Sequence, residues 1–302
     1  STLVGSFRPK ALVVQRDVRE AVREKFPDCY ITTLDEWAFV EDAAYQKLCR
    51  QLGVSSLKGF GVEQYLLALC SAGALIFYLE QTQHVGLRNI CSISRIDEGK
   101  FVWMDRFTVR NLEIFESASG RDGVSLVDTI DRCCSPMGAR LLRSWLAMPV
   151  MDLDELGARY DTVQYFVDNE EKLAEIQALI SKVGDLERII ARAATGKIQP
   201  RERMQLGRSL EQMEPIRRLC EESGVAAMQK MARRMKDCSR LIARINSTMN
   251  ENPAAQIGKG EVIARGVDAE LDELREISNG GKNYLLQMQQ REIERTGINS
   301  LK

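Results

Sequence analysis

Apolar positions along the first ninety residues fall in short runs separated by turn signals. ALVVQ at 11–15 is an uninterrupted apolar run that suits a buried strand. Residues 18–26 form a short amphipathic helix, closed by a Pro27-Asp28 turn. CYITTL at 29–34 is β-branched and aromatic and predicts a second strand. Residues 41–52 read as a helix ended by Gly53, and Gly59-Phe60-Gly61 precedes a long apolar helix over 62–82, expected to be buried. Strand, helix, strand, helix and buried helix make an α/β pattern with at least one parallel pair. Residues 90–96 alternate, Asp97-Glu98-Gly99 turns, and 101–104 return with Trp103, which predicts a hairpin. The domain boundary is placed here: a partial α/β domain over 1–90 and a mainly helical domain over 91–302.

From Asn111 onward the period changes to that of helices. Ser135 is an N-cap with Pro136 at the first helical position, where its missing N–H costs nothing. Leu141, Leu142, Trp145 and Leu146 share one apolar face, and Pro149 stops the helix. Asp152 with Glu155 starts the next helix in the manner of a capping box, with Leu156, Tyr160, Val163 and Val167 as its face. Asp185 caps a helix carrying Leu186, Ile189, Ile190 and Ala193, with Gly196 just past its end. Pro200 opens a helix through Leu206, Leu210, Met213, Ile216 and Leu219, which Pro215 should kink. After Gly224 a further helix runs from Met228 through Met231, Met235, Cys238 and Leu241 to Ile245, its methionines read as core. A Gly-rich stretch over 253–267 holds a short strand at 261–264. Asp268 then caps a long helix through Leu271, Leu274, Ile277, Tyr284, Leu285 and Met288, interrupted at Gly280-Gly281.

Charge adds detail to this outline. The chain has 302 residues and a net charge of −1, which argues against a wholly basic nucleic-acid binder. The balance is uneven: about +1 over 1–95, −6 over 96–184 and +6 over 185–244. That last stretch supplies Arg201, Arg203, Arg233 and Arg234 as candidates to face DNA phosphate; the plainer reading is a pair of solvated helix faces. The longest uncharged run, 64–79, is too short to span a membrane. Eight cysteines include no CxxC pair, and His84 is the single histidine, so no Cys/His zinc set is available. No signal peptide is visible, and free cytosolic thiols in a cytoplasmic protein are expected.

Catalytic motifs are missing. Gly-Lys occurs at Gly99, Gly196, Gly258 and Gly281, but Ser94, Ala191, Pro253 and Glu276 stand where a phosphate-cradling loop needs its first glycine. His84, after the apolar helix, reads as a surface or capping residue. The pairs Asp35-Glu36 and Glu41-Asp42 follow the second strand, where a nuclease would hold metal, yet adjacent carboxylates diverge and these sit at a helix start that favours acids. Cys133-Cys134 are read as small apolar residues before the Ser135 cap.

The order of several motifs is more specific than any one of them. Gly59-Phe60-Gly61-Val62-Glu63, Ala72–Ala74, Thr82-Gln83-His84 and 90–94 are followed by Arg110-Asn111-Leu112-Glu113-Ile114. Next come Asp131-Arg132, Ser135-Pro136-Met137-Gly138, Arg140-Leu141-Leu142, Trp145-Leu146 and Met148-Pro149-Val150. Val183-Gly184-Asp185-Leu186-Glu187-Arg188 with Arg192, Pro200-Arg201, 260–266, Leu271-Asp272-Glu273 and Glu294-Arg295-Thr296-Gly297-Ile298 complete the series. In this order they resemble the MutS family of DNA mismatch-repair ATPases, specifically part of its connector domain and its helical core, or lever, domain. The resemblance implies a ribonuclease H-like connector and a truncated core that ends near Leu301-Lys302, before the clamp; the chain, which starts at Ser1, is read as a piece of a longer protein. It implies that the parent is a dimeric, DNA-dependent ATPase using ATP and Mg, which binds mismatched double-stranded DNA and recruits downstream repair proteins. The piece itself is expected to lack catalysis, cofactor and metal, and to have no membrane partner. By the same resemblance Pro136, Met137, Gly138, Leu141, Leu142, Trp145 and Leu146 bury the first core helix. Asp185, Glu187, Arg188 and Arg192 tie that helix pair together by ion pairs, while Gly184, Gly196, Pro215, Gly224, Gly280 and Gly281 are candidate hinges. The competing readings are a non-catalytic helical scaffold, or a MutS paralogue without mismatch recognition, and a metal-dependent nuclease built on the α/β part.

Overall fold

In the computed structural model, residues 4, 9–27, 29–83, 87, 89–120 and 123–297 are described. His84, Ile298, Leu301 and Lys302 lie outside them. The chain divides into two compact units, 1–198 with 208–237, and 199–207 with 238–302.

The first unit opens with β1 (Ala11–Gln15), α1 (Arg19–Lys25) and β2 (Tyr30–Leu34). The strands pair in parallel, Ala11 opposite Tyr30 and Gln15 opposite Leu34. A 3-10 turn, Glu36–Phe39, leads to α2 (Glu41–Leu52), which Gly53 ends in the left-handed conformation at φ 67°. The apolar helix, α3 (Leu66–Gln83), starts four residues later than the pattern suggested, after a second 3-10 turn at Lys58–Phe60. Its burial is one-sided: Leu69, Ala74 and Ile76 are buried, but Leu67 and Leu75 are exposed. Gly73 is required where α3 crosses α2, since a Cβ there would lie 2.5 Å from that of Ala44. Leu48, Leu57, Val62, Leu69 and Ile76 form the core between them. Around it the Tyr45 hydroxyl donates to Glu63 at 2.6 Å and accepts the Leu57 N–H, and Gln51 holds the Leu87 and Ile90 carbonyls.

The expected hairpin over 90–104 does not form. Residues 90–97 have no ladder partner among the described residues, and Phe101 instead makes an antiparallel bridge to Val150, with the Val102 N–H donating to the Pro149 carbonyl. Nor is the chain helical throughout from Asn111. After α4 (Arg106–Asn111) residues 112–118 leave the helix, because Glu113 adopts φ 49° and its carboxylate accepts the Ala118 N–H and the Ser117 hydroxyl; a short capped helix, α5 (Leu126–Ile130), comes later.

Helices complete the unit: α6 (Pro136–Ala147), α7 (Leu153–Asp168), α8 (Glu170–Lys182), α9 (Leu186–Ala194) and, after α10 (Pro200–Glu211), whose first turns belong to the second unit, α11 (Met213–Glu222) with α12 (Ala226–Arg234). Their core gathers Val183, Ile216, Leu219, Cys220, Met228 and Ala232; Tyr165 and Phe166 of α7 pack on it, their two rings edge to face with centroids 5.2 Å apart. The predicted kink at Pro215 is a break. The helix ends at Glu211, turns at Gln212 and restarts as α11 with Pro215 in its first turn, where a missing N–H is tolerated.

The second unit contains the first turns of α10, then α13 (Ser239–Thr248) and α14 (Ala269–Thr296). The single helix expected from Met228 to Ile245 is therefore two, α12 and α13, with 235–238 non-helical between them; Met228 is buried, while Met231 is exposed. The strand expected at 261–264 is one antiparallel bridge, Ile263 to Met249. α14 runs unbroken through Gly280-Gly281, which does not interrupt it: 28 residues of ladder outweigh a cost of about 1 kcal/mol per glycine. Among the described residues no helix is long and apolar enough to cross a membrane.

Candidate functional site

Arg140, Asp185, Glu187 and Arg188 of the motif residues meet at one joint, between α6 and the segment entering α9. Ser135 begins α6, its hydroxyl accepting the Gly138 N–H at 3.1 Å. A Cβ at Gly138 would lie 3.3 Å from that hydroxyl oxygen, a close but not prohibitive approach. One turn on, the Arg140 guanidinium makes a bidentate pair with Asp185, at 2.8 and 2.7 Å. It also reaches Glu187, Nε at 3.1 Å and Nη2 at 2.5 Å. The planar fork suits two parallel bonds to one carboxylate. Asp185 meanwhile caps α9 by accepting the Arg188 N–H, and its carboxylate lies 3.3 Å from the Arg188 Nε. The Arg140 guanidinium therefore holds the Asp185 carboxyl below its ordinary value, and the two carboxylates hold Arg140 protonated.

Two neighbours of the joint were not legible as such. Ser209 is fully buried and its hydroxyl accepts the Gly184 N–H at 2.9 Å, anchoring the segment that leads to Asp185. Arg159 lays its guanidinium 3.8 Å over the Trp145 ring.

That stacking explains part of a correction. The first core helix is not buried by its apolar face: Leu141 and Trp145 are exposed, Pro136 is at the surface, and only Ala147 of α6 is buried, with Met137, Leu142 and Leu146 half-buried. Likewise Tyr160, Val163 and Val167 of α7 are exposed; the side turned to the core carries Tyr165 and Phe166. Cys133 and Cys134 are exposed rather than packed, and desolvation, Asp131 and Cys134 push the Cys133 thiol up, away from reactivity.

Other motif residues stay local. The Arg132 guanidinium donates to the Asp131 carbonyl, Arg192 is exposed on the last turn of α9, Leu186 packs on the core, and Pro200 is buried at the start of α10. Gly196 and Gly224 take φ of 68° and 73°, each just past a helix end, as C′ glycines do. The four DNA-facing candidates divide between the two units. Arg201 and Arg203 belong to the second unit, where the Arg201 Nε donates to the Pro253 carbonyl, and Arg233 and Arg234 are exposed in the last turn of α12 in the first. Among the described residues no three His, Cys, Asp or Glu side chains are grouped to hold a metal.

Fold and joint together define a protein of parallel α/β start and helical remainder, whose motif residues make structural ties. Comparison with known proteins supplies the family. Residues 1–90 match the model of MutS domain II and residues 107–299 that of MutS domain III. The chain is 42% identical over 301 residues, 99% of its length, to the "DNA mismatch repair protein MutS" of Cytophaga hutchinsonii, and 40% identical over the same span to those of Parabacteroides distasonis and Bacteroides fragilis. It covers 35%, 34% and 35% of those proteins, about a third of their length. The chain belongs to the MutS family, in which it spans domains II and III.

Proposed function

We propose that this chain is the connector and core part of a DNA mismatch-recognising ATPase, and that its task is mechanical. The connector part would be ribonuclease H-like. The core helices transmit an ATP-driven change between an ATPase and a DNA clamp supplied by the rest of the parent. The parent would use ATP and Mg, act as a dimer on mismatched duplex and pass the signal to downstream repair proteins. The observation that carries this reading is the Arg140 joint, which fastens α6 to α9 with a four-bond fork and makes a rigid piece able to pass on a displacement.

The test uses the whole parent protein. Arg140→Met should leave mismatched-duplex affinity within about threefold of wild type while slowing ATP-driven release from that duplex by about tenfold, a coupling near the low end for allosteric links. Release at the wild-type rate by a folded Arg140→Met protein refutes transmission through this joint. A parent that shows no preference for mismatched over matched duplex belongs with paralogues of another DNA substrate.

A further inference from the structure

We propose that the notch between α4 and the loop after it binds a small phosphate monoester, held by Arg106 and Arg110. This goes beyond the transmission role and does not depend on it. The notch is a cavity of about 220 Å³ in the first unit, lined by Arg106, Val109 and Arg110 of α4 and by Phe115, Glu116 and Ser117 of the loop. The two arginines stand four positions apart, about one turn of helix, and share a face. Like charges at that spacing repel. Among the described residues neither guanidinium has a hydrogen-bond or ion-pair partner. An anion shared between them replaces that repulsion with two charge-assisted contacts.

Both walls of the notch are fixed without a ligand. Asp105 caps α4, its carboxylate accepting the Thr108 N–H at 2.7 Å, and Val109 is buried. Across the notch the Glu113 carboxylate closes the loop, accepting the Ala118 N–H at 3.1 Å and the Ser117 hydroxyl at 3.2 Å. The Leu126 and Val127 N–H groups donate to the Glu113 and Ile114 carbonyls and hold the base of the loop. Glu113 keeps its positive φ, uncommon for a residue with a Cβ, because these bonds over-determine it. A wall already ordered loses little entropy when a ligand arrives. The lining then selects the class of ligand. Glu116 has a partner of its own, so the notch already holds one carboxylate beside two unmatched guanidinium groups. A phosphate monoester carries a charge of about −1.5 to −2 and three acceptor oxygens, enough for both forks; a carboxylate offsets only one. The volume equals that of about seven waters, more than a bare phosphate fills. Val109 and Phe115 make the remainder apolar, which suits one ring attached to the phosphate.

Phenyl phosphate is therefore the probe, titrated calorimetrically into the 302-residue chain and into the whole parent protein. Arg106→Gln and Arg110→Gln should each weaken binding by about tenfold, the loss of a bond to a charged group. Phe115→Ala should weaken phenyl phosphate by about threefold and leave inorganic phosphate unchanged. Glu116→Gln should tighten both, since it removes a like charge from the notch. Circular dichroism checks that each variant is folded. Two further ligands name the source of the phosphate. A 5′-phosphorylated oligonucleotide that binds more tightly than its 5′-hydroxyl twin makes it a DNA strand end; equal binding of the twins, with a nucleoside monophosphate bound like phenyl phosphate, makes it a free metabolite. No heat with phenyl phosphate, unchanged affinity in both folded arginine variants, or acetate bound as tightly as phosphate overturns the proposal. So does binding by the chain that the parent lacks, which places a group of the parent between the arginines.

Discussion

Replacing Arg140 by Met removes the fork but keeps most of the side chain's length, so the change tests the ion pair rather than packing. Arg140 donates two bonds to Asp185, whose side chain is 16% exposed, and is itself 37% exposed. A carboxylate so placed keeps its α9 cap and loses its main partner; hydrogen bonds to charged groups contribute about 1.5–3 kcal/mol when the survivor is poorly hydrated. Water reaches the arginine, and Glu187 is 67% exposed, so the lower part of that range applies and the glutamate adds only the roughly 0.2–1 kcal/mol of a surface pair. The expected cost is about 2 kcal/mol. Asp185→Asn keeps a capping oxygen and should cost about 1 kcal/mol, and the double variant should show a coupling of about 1 kcal/mol between the two sites. Urea unfolding followed by tryptophan fluorescence, to which Trp145 on α6 contributes beside Trp37 and Trp103, reads the cycle. A coupling below about 0.3 kcal/mol, the scatter of independent sites, would refute the reasoning. Acidity gives a second reading of the same pair. Because folding lowers the Asp185 value, its stabilisation is complete above the ordinary carboxylate value of about 3.9 and is lost as pH falls through the lower folded one. Arg140→Met should flatten that acid limb.

Two further substitutions probe what surrounds the joint. Trp145→Ala should cost about 1–2 kcal/mol in thermal unfolding, the share of a half-covered ring stacked by one guanidinium; a loss above about 3 kcal/mol, that of a fully buried tryptophan, would contradict its exposed placement. Ser209→Ala leaves the Gly184 N–H without its acceptor, and should cost about 1–2 kcal/mol and speed hydrogen exchange at that amide; an unchanged exchange rate would show that the bond does not hold the segment.

Elements whose signals are local were legible in the sequence. β1 and α2 have the predicted limits because an apolar run defines one and a left-handed glycine closes the other. The caps at Ser135, Asp152, Asp185 and Asp268 were readable for the same reason: each cap residue bonds an N–H three positions on. What failed depends on distant residues. Alternation at 90–96 marks extended chain but cannot name its partner, and Phe101 found Val150 nearly fifty residues away. The joint was half legible: the resemblance grouped Asp185 with Glu187, but nothing in the spacing shows that one guanidinium from α6 spans both, or that Ser209 supports them from behind.

Burial was the least legible property, for a physical reason. A 3-4-3-4 repeat states that one stripe of a helix is apolar; it does not state that the stripe is covered. On α7 the repeat of Leu153, Tyr160, Val163 and Val167 is genuine, yet the helix turns Tyr165 and Phe166 to the core instead. Such a helix is apolar on two sides. One side is satisfied by Ile216, Met228 and their neighbours, and the other keeps several hundred Å² of hydrophobic surface in water, an amount that soluble proteins seldom leave without a use. On α14, Leu274, Ile277, Tyr284 and Leu285 are likewise exposed. Where periodicity and burial disagree on two helices with the same repeat, the disagreement is itself a signal: the sequence encodes contacts that the isolated chain does not make within either unit.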